Sequence, residues 1–144
     1  MEDETETGKG NVIFTARTRT TGGRDHGAAR SLDGYLDVKL ATPGSARIGT
    51  NPEQLLAAAW SACFESAIEH AARKKNIRLP GELVIDAEVA LHLDASGYFL
   101  SARLNIGIPG IERSTAQELV DDAKVLCPFS KATRGNIEVT YNLF

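Results

Sequence analysis

The stretch LVIDAEVALHLDASGYFLSARLNIGI, residues 83–108, determines the fold class of this chain. Every second residue is apolar from 83 to 93, and the same alternation runs from 98 to 108. Such alternation is typical of strands that bury one face. Residues 94–97, DASG, supply turn formers between the two runs. The stretch therefore predicts a long antiparallel hairpin.

A long helix is predicted before this hairpin, from Pro52 to about Lys75. Asn51 can cap it, Pro52 suits the first helical position, and Glu53 places negative charge in the first turn. Steps of three and four residues predict an inward stripe. The stripe consists of Leu56, Ala59, Cys63, Ala67 and His70.

A second helix is predicted after the hairpin. Ser114 or Thr115 would cap it, and Pro128 would close it. Its predicted inward stripe consists of Ala116, Leu119, Val120, Ala123 and Cys127.

Four further segments are predicted to be strands. They are residues 11–20, the two arms 29–32 and 35–40 of a hairpin around Asp33-Gly34, and a last strand with apolar residues at 137, 139, 141 and 143. Hairpins interspersed with two helices predict an α+β fold with antiparallel sheets packed around two main helices.

Length, charge and cysteine content limit the class of protein. The 144 residues fit one domain, which we expect over 11–144, with residues 1–10 as a flexible acidic tail. No run is apolar enough for a membrane span. Four of the 19 acidic residues lie among the first eight, and without them the chain has 15 acidic and 16 basic residues. Because this balance is nearly neutral, a nucleic-acid partner is not expected. The acidic start does not resemble a secretory signal, and a reducing cytoplasm is the expected compartment.

The two cysteines allow two interpretations. Cys63 and Cys127 both lie on predicted inward faces, where a reduced cysteine can act simply as a small apolar residue. Alternatively, the fold brings them together as a redox-active pair. No CxxC pair is present, and His26, His70 and His92 show no metal-ligand spacing, so neither a metal nor a cofactor is expected.

A reactive cysteine in the middle of a helix needs a nearby cation, because burial disfavours the thiolate. The candidate cations are Arg24, Lys124, Lys131 and Arg134. Glu53 could orient such a cation. However, ten residues of one helix separate Glu53 from Cys63 by roughly 15 Å. A site containing both would require the glutamate of a second copy of the chain.

Six segments, in order, resemble the organic hydroperoxide resistance proteins (Ohr) of the OsmC/Ohr superfamily. They are GGRD at 22–25, LDVKL at 36–40, GTNPEQL at 49–55, ACF at 62–64, VLCPFS at 125–130 and ATRGNI at 132–137. The resemblance covers about residues 11–144.

This resemblance implies a thiol-dependent peroxidase that reduces organic (lipid or alkyl) hydroperoxides and acts as an intertwined homodimer. It assigns the peroxidatic role to Cys63, the resolving role to Cys127 and further catalytic roles to Arg24 and Glu53. Re-reduction by a dithiol, either dihydrolipoamide or a lipoylated protein, is implied as well.

Several positions depart from the family pattern. Phe129, Lys131, His26 and the pair Ala59-Trp60 stand where family members commonly have Tyr, Asn, Gly and Gly-Tyr. Trp60, Phe64 and Phe129 would suit an apolar substrate, or they could be ordinary core residues. Two alternatives are an OsmC-branch peroxidase of broader peroxide range and a non-catalytic ligand-binding or redox-sensing module on the same fold.

Overall fold

The computed structural model describes residues 10–144, so most of the expected acidic tail lies outside the described residues. The chain forms two compact units, one ending at Asn51 and one beginning at Pro52. Each unit is described by itself, and the expected single domain stays a prediction. Among residues 10–144, no helix has the length and apolarity needed to cross a membrane.

The first unit is a three-stranded antiparallel sheet with one short helix. Its strands lie in the order β1-β2-β3. The elements are β1 (Thr18–Thr21), α1 (Gly23–His26), β2 (Ala28–Ser31) and β3 (Asp37–Lys39).

The predicted first strand is too long at its start. Thr18 pairs with Ser31, the last residue of β2, so residues 11–17 run past the end of their neighbour. Among the described residues of this unit they have no partner strand, and they form no regular structure. Val12, Ile13 and Phe14 are each more than 80% exposed.

The predicted hairpin of β2 and β3 is present, but its loop is longer than two residues. The Ser31 N–H donates to the Leu36 carbonyl and closes a loop of four residues. Within that loop, the Asp33 carboxylate accepts hydrogen bonds from the Ser31 hydroxyl and the Tyr35 N–H. These bonds hold the pKa of Asp33 below its usual value, and they stabilise a wider turn than Asp33-Gly34 alone would form.

The second unit packs three helices on a three-stranded sheet of order β4-β5-β6. Its elements are α2 (Pro52–Lys74), β4 (Val84–Asp94), β5 (Gly97–Gly107), α3 (Arg113–Leu126), α4 (Pro128–Thr133) and β6 (Glu138–Leu143). The predicted hairpin is confirmed, with Val84 opposite Gly107 and Asp94 opposite Gly97. β6 pairs with β5 in parallel, an orientation that alternation alone does not predict. The α3–α4 segment supplies the crossover connection that parallel strands need.

The core of the second unit lies between the helices and this sheet. The predicted stripe of α3 is confirmed, since all five of its residues are buried. The stripe predicted for α2 is partly wrong, because Ala59 and His70 are exposed. The buried face of α2 is Trp60, Phe64, Ala67, Ile68, Ala71 and Ala72. The two largest side chains of that face, Trp60 and Phe64, therefore set its orientation.

The start of α3 also differs from the prediction. Its N-cap is Glu112, which makes no side-chain capping hydrogen bond. Instead, the Ser114 hydroxyl donates to the Glu112 carboxylate at 3.0 Å. The helix thus begins at Arg113, one residue before Ser114 and two before Thr115.

Candidate active site

The second unit brings its two cysteines together. Cys63 lies on α2 and is half-buried, whereas Cys127 is fully buried after the last turn of α3. Their thiols are within hydrogen-bonding range of each other. The predicted inward placement of both cysteines is thus confirmed, and the two are neighbours rather than separate core residues.

Burial and the neighbouring thiol both disfavour a negative charge on Cys63. Burial is the main cause that raises the pKa of Cys63 above the ordinary thiol value of 9.0, and the contact with Cys127 raises it further. In the opposite direction, the backbone N–H of Phe129 donates to the Cys63 sulfur and lowers this pKa. Within this unit the balance favours the thiol, as expected for a cysteine in the middle of a helix.

Cys127 occupies the junction of two helices. Its N–H donates to the Ala123 carbonyl at the end of α3, and its carbonyl accepts from the Lys131 N–H in α4. Its extended backbone (φ −70°, ψ 120°) turns the chain between them. α4 was not predicted from the sequence, although Pro128 after Cys127 is a recognised helix-start signal.

A buried hydroxyl network lies next to this junction. The Ser130 Oγ accepts hydrogen bonds from the Trp60 indole N–H at 3.0 Å and from the Tyr141 hydroxyl at 2.9 Å. Ser130 is 2% exposed and is the only buried polar side chain among residues 10–144. Burial raises the pKa of Tyr141, and the bond to Ser130 opposes that rise. Sequence reasoning assigned no role to Ser130 or Tyr141, although Ser130 ends the VLCPFS segment at 125–130.

Glu53 lies in the first turn of α2, and its side chain is half-buried. It shares this helix with Cys63, so the separation of roughly 15 Å along the helix stands. Within α2 the structure does not bring Glu53 to the cysteine pair.

Arg24 belongs to the first unit, where it is exposed on α1. A single helical turn begins at Gly23. Gly22 adopts φ +80°, and a side chain on Gly27 would collide with the Gly23 backbone, so glycine is needed at both positions. The Thr42 hydroxyl donates to the Asp25 carboxylate at 2.7 Å and ties this turn to the loop after β3.

Comparisons with known proteins agree on one family. The family model described as "OsmC-like protein" matches residues 42–142. An organic hydroperoxide resistance protein of Xanthomonas axonopodis pv. citri (strain 306) is 45% identical over 136 residues, covering 92% of this chain and 95% of the relative. The crystal structure of the organic hydroperoxide resistance protein OhrB of Bacillus subtilis is 41% identical, with a TM-score of 0.86, covering 92% of this chain and all of that one. The chain belongs to the Ohr family of OsmC-like proteins.

The aromatic side chains of this Ohr-family chain divide into core and partly exposed groups. Trp60 and Phe64 are fully buried in the second unit, and the Phe64 and Tyr141 rings stack with centroids 5.4 Å apart. Phe129 is only half-buried. Of these three aromatic residues, Phe129 is therefore the one whose side chain keeps exposed surface that an apolar substrate could contact.

The remaining candidate cations of this Ohr-family chain lie around the same junction. The Lys124 ammonium sits 4.9 Å from the centre of the Tyr141 ring, and the Arg134 guanidinium donates to the Lys124 carbonyl. Lys131 is exposed on α4. Among residues 10–144, no three His, Cys, Asp or Glu side chains form a group that could hold a metal ion.

Proposed function

We propose that this chain is a thiol-dependent peroxidase that reduces organic hydroperoxides to alcohols. Membership of the Ohr family supports a role in organic hydroperoxide resistance. The observation that carries the mechanism is the contact of one half-buried and one fully buried thiol, Cys63 and Cys127. The exposed part of Cys63 can meet a peroxide, whereas Cys127 is shielded and suits the resolving step.

The first chemical step is attack of the Cys63 thiolate on one oxygen of the peroxide. A sulfur–oxygen bond forms as the O–O bond breaks, and the departing alkoxide takes a proton to become an alcohol. Cys63 is oxidised to a sulfenic acid, and the peroxide is reduced.

The second step joins the two cysteines. The Cys127 sulfur displaces the sulfenic oxygen, which leaves as water, and a Cys63–Cys127 disulfide forms. A dithiol such as dihydrolipoamide or a lipoylated protein then reduces the bridge by thiol–disulfide exchange, becomes a disulfide itself and restores both thiols. This cycle fits the reducing cytoplasm, where protein disulfides are usually catalytic and transient.

Arg24 and Glu53 complete the proposed site. The elevated pKa of Cys63 requires a cation to favour the thiolate, and Arg24 is assigned that role, with Glu53 orienting it. Since Glu53 cannot reach Cys63 along α2, the glutamate is supplied by a second copy of the chain. The working unit is accordingly a homodimer.

One equivalent of cumene hydroperoxide added to the reduced protein should convert both thiols into a single Cys63–Cys127 bridge. Mass spectrometry after alkylation and digestion would identify the cross-linked peptides. The same titration with hydrogen peroxide should react more slowly. Equal rates for the two oxidants would instead favour the OsmC-branch peroxidase of broader range. Two unbridged, oxidised cysteines would contradict the resolving role of Cys127.

An Arg24→Gln variant should reduce cumene hydroperoxide about 100-fold more slowly, the usual cost of losing one group that stabilises developing charge. Removing the cation should also raise the pKa of Cys63 further. The pH at which iodoacetamide alkylates Cys63 at half its maximal rate would then move upward.

The matched control is Arg30→Gln, which removes another exposed arginine of the first unit, one that pairs with Asp37. This variant should keep both the peroxide rate and the alkylation profile of the unmodified chain. An Arg24→Gln variant with an unchanged alkylation profile would contradict the assigned role.

A further inference from the structure

The short helix α4 carries the groups that define the cysteine pair. Cys127 immediately precedes it, and the Phe129 N–H in its first turn donates to the Cys63 sulfur. A displacement of α4 would therefore disturb both cysteines at once. What holds α4 in place consequently determines the geometry of the pair.

α4 has six residues, too few for an isolated helix to be stable in water. Its position must come from contacts with the rest of the unit. Besides the Phe129 N–H bond to Cys63, α4 is tied to other elements by the side chain of Ser130, which joins Trp60 on α2 and Tyr141 on β6. Trp60 is three residues before Cys63, and Ser130 is three residues after Cys127.

The network thus joins α2 to α4 about one helical turn away from the contact between Cys63 on α2 and Cys127, which immediately precedes α4. Both donors are firmly placed: Trp60 is fully buried, and the Tyr141 ring is stacked on Phe64. A serine oxygen has two acceptor sites, and these two donors occupy both. The loss of the Ser130 hydroxyl would leave a buried indole N–H without its acceptor.

We propose that Ser130 is a positioning residue for the Cys63–Cys127 pair, acting through its bonds to Trp60 and Tyr141. It holds α4 so that the Cys127 sulfur stays within reach of Cys63 and favours closure of the bridge. This role deepens the proposed function and rests on it, since the bridge is the product of the resolving step.

The test measures bridge formation without any peroxide. Purified full-length protein is equilibrated with mixtures of reduced and oxidised dithiothreitol, and the fractions of dithiol and disulfide are read by alkylation and mass spectrometry. In Ser130→Ala, the equilibrium constant for the bridge should fall about tenfold, because two hydrogen bonds that restrain α4 are lost. That corresponds to a rise of about 30 mV in the reduction potential.

Two further variants sharpen this test. Tyr141→Phe keeps the stacked ring and removes one donor, so its equilibrium constant should fall by a smaller factor. The equilibrium constant of the double variant should be no lower than that of Ser130→Ala, because both changes act through the Ser130 oxygen. Ser61→Ala is the matched control, since its hydroxyl donates to the Ala57 and Ala58 carbonyls of its own helix, and its equilibrium constant should not change.

A purely structural role would lower the unfolding temperature of Ser130→Ala and leave the equilibrium constant unchanged, which would overturn the proposal. Should Ser130→Ala fail to fold, an unchanged constant in Tyr141→Phe would overturn it equally. The proposal would also be overturned if the unmodified chain formed no Cys63–Cys127 bridge at any dithiothreitol ratio. An unmodified chain that forms the bridge but does not reduce cumene hydroperoxide would contradict the proposed function alone.

Discussion

A Cys63→Ser variant is expected to lose organic hydroperoxide reduction by on the order of 10⁶-fold, the scale of loss seen when an enzyme nucleophile is removed. A serine hydroxyl at this half-buried position is not ionised and cannot form the sulfenic acid on which the cycle depends. The measurement is consumption of cumene hydroperoxide with dihydrolipoamide as the reductant. A Cys63→Ser variant that still consumes the peroxide at a comparable rate would refute the mechanism.

Cys127→Ser is the informative counterpart, because it removes the buried partner and leaves the nucleophile. The first equivalent of peroxide should react at nearly the normal rate, since Cys63 keeps its exposed surface. Without a resolving thiol the sulfenic acid persists, so added peroxide should carry Cys63 on to sulfinic acid. Mass spectrometry after one and after several equivalents would distinguish these products. A bridge between two chains through Cys63 would show a different resolving partner.

The hairpin and the α3 stripe were predictable because each pattern of apolar residues matches one kind of element: alternation matches a strand, and steps of three and four residues match a helix. Alternation over 83–93 and 98–108 predicts one inward face for both strands, and β4 and β5 pair as expected. The inward face ends before the hairpin tip, where Leu91, Leu93 and Tyr98 are exposed. The α2 stripe was less predictable, since this helix carries apolar residues on more than one face. Its orientation is decided by the volumes of Trp60 and Phe64, whereas the predicted stripe followed the smaller Ala59 and Cys63.

The cysteine pair was predictable in part. The sequence places Cys63 and Cys127 on inward faces, but their contact depends on how α3 ends and how α4 turns back toward α2. That turn is set by long-range bonds at Ser130, whose donors are 70 and 11 residues away along the chain. Periodicity within one helix contains no information about such bonds. The local signal for α4, proline after Cys127, indicates a helix start but not its direction.

The largest stability effect is expected for Phe64→Ala, at about 3–5 kcal/mol. Phe64 is fully buried between α2 and the sheet and stacks on Tyr141, so truncation leaves a cavity and removes the support of that ring. This loss is a large share of the 5–15 kcal/mol that typically separates folded from unfolded states. Urea unfolding of the reduced protein, at one fixed protein concentration, measures it.

Phe99→Ala provides the matched control, because it removes the same atoms from a ring that also stacks on one neighbour. The Phe99 ring lies 4.7 Å from that of His92, but Phe99 is 44% exposed. Burial is thus the main difference between the two sites, and Phe99→Ala should cost about 1 kcal/mol. Equal costs would mean that stacking rather than core packing dominates at Phe64. A large loss of unfolding free energy at Phe64 alone would show that this ring fixes α2 to the sheet directly beside Cys63, whose position the proposed chemistry requires.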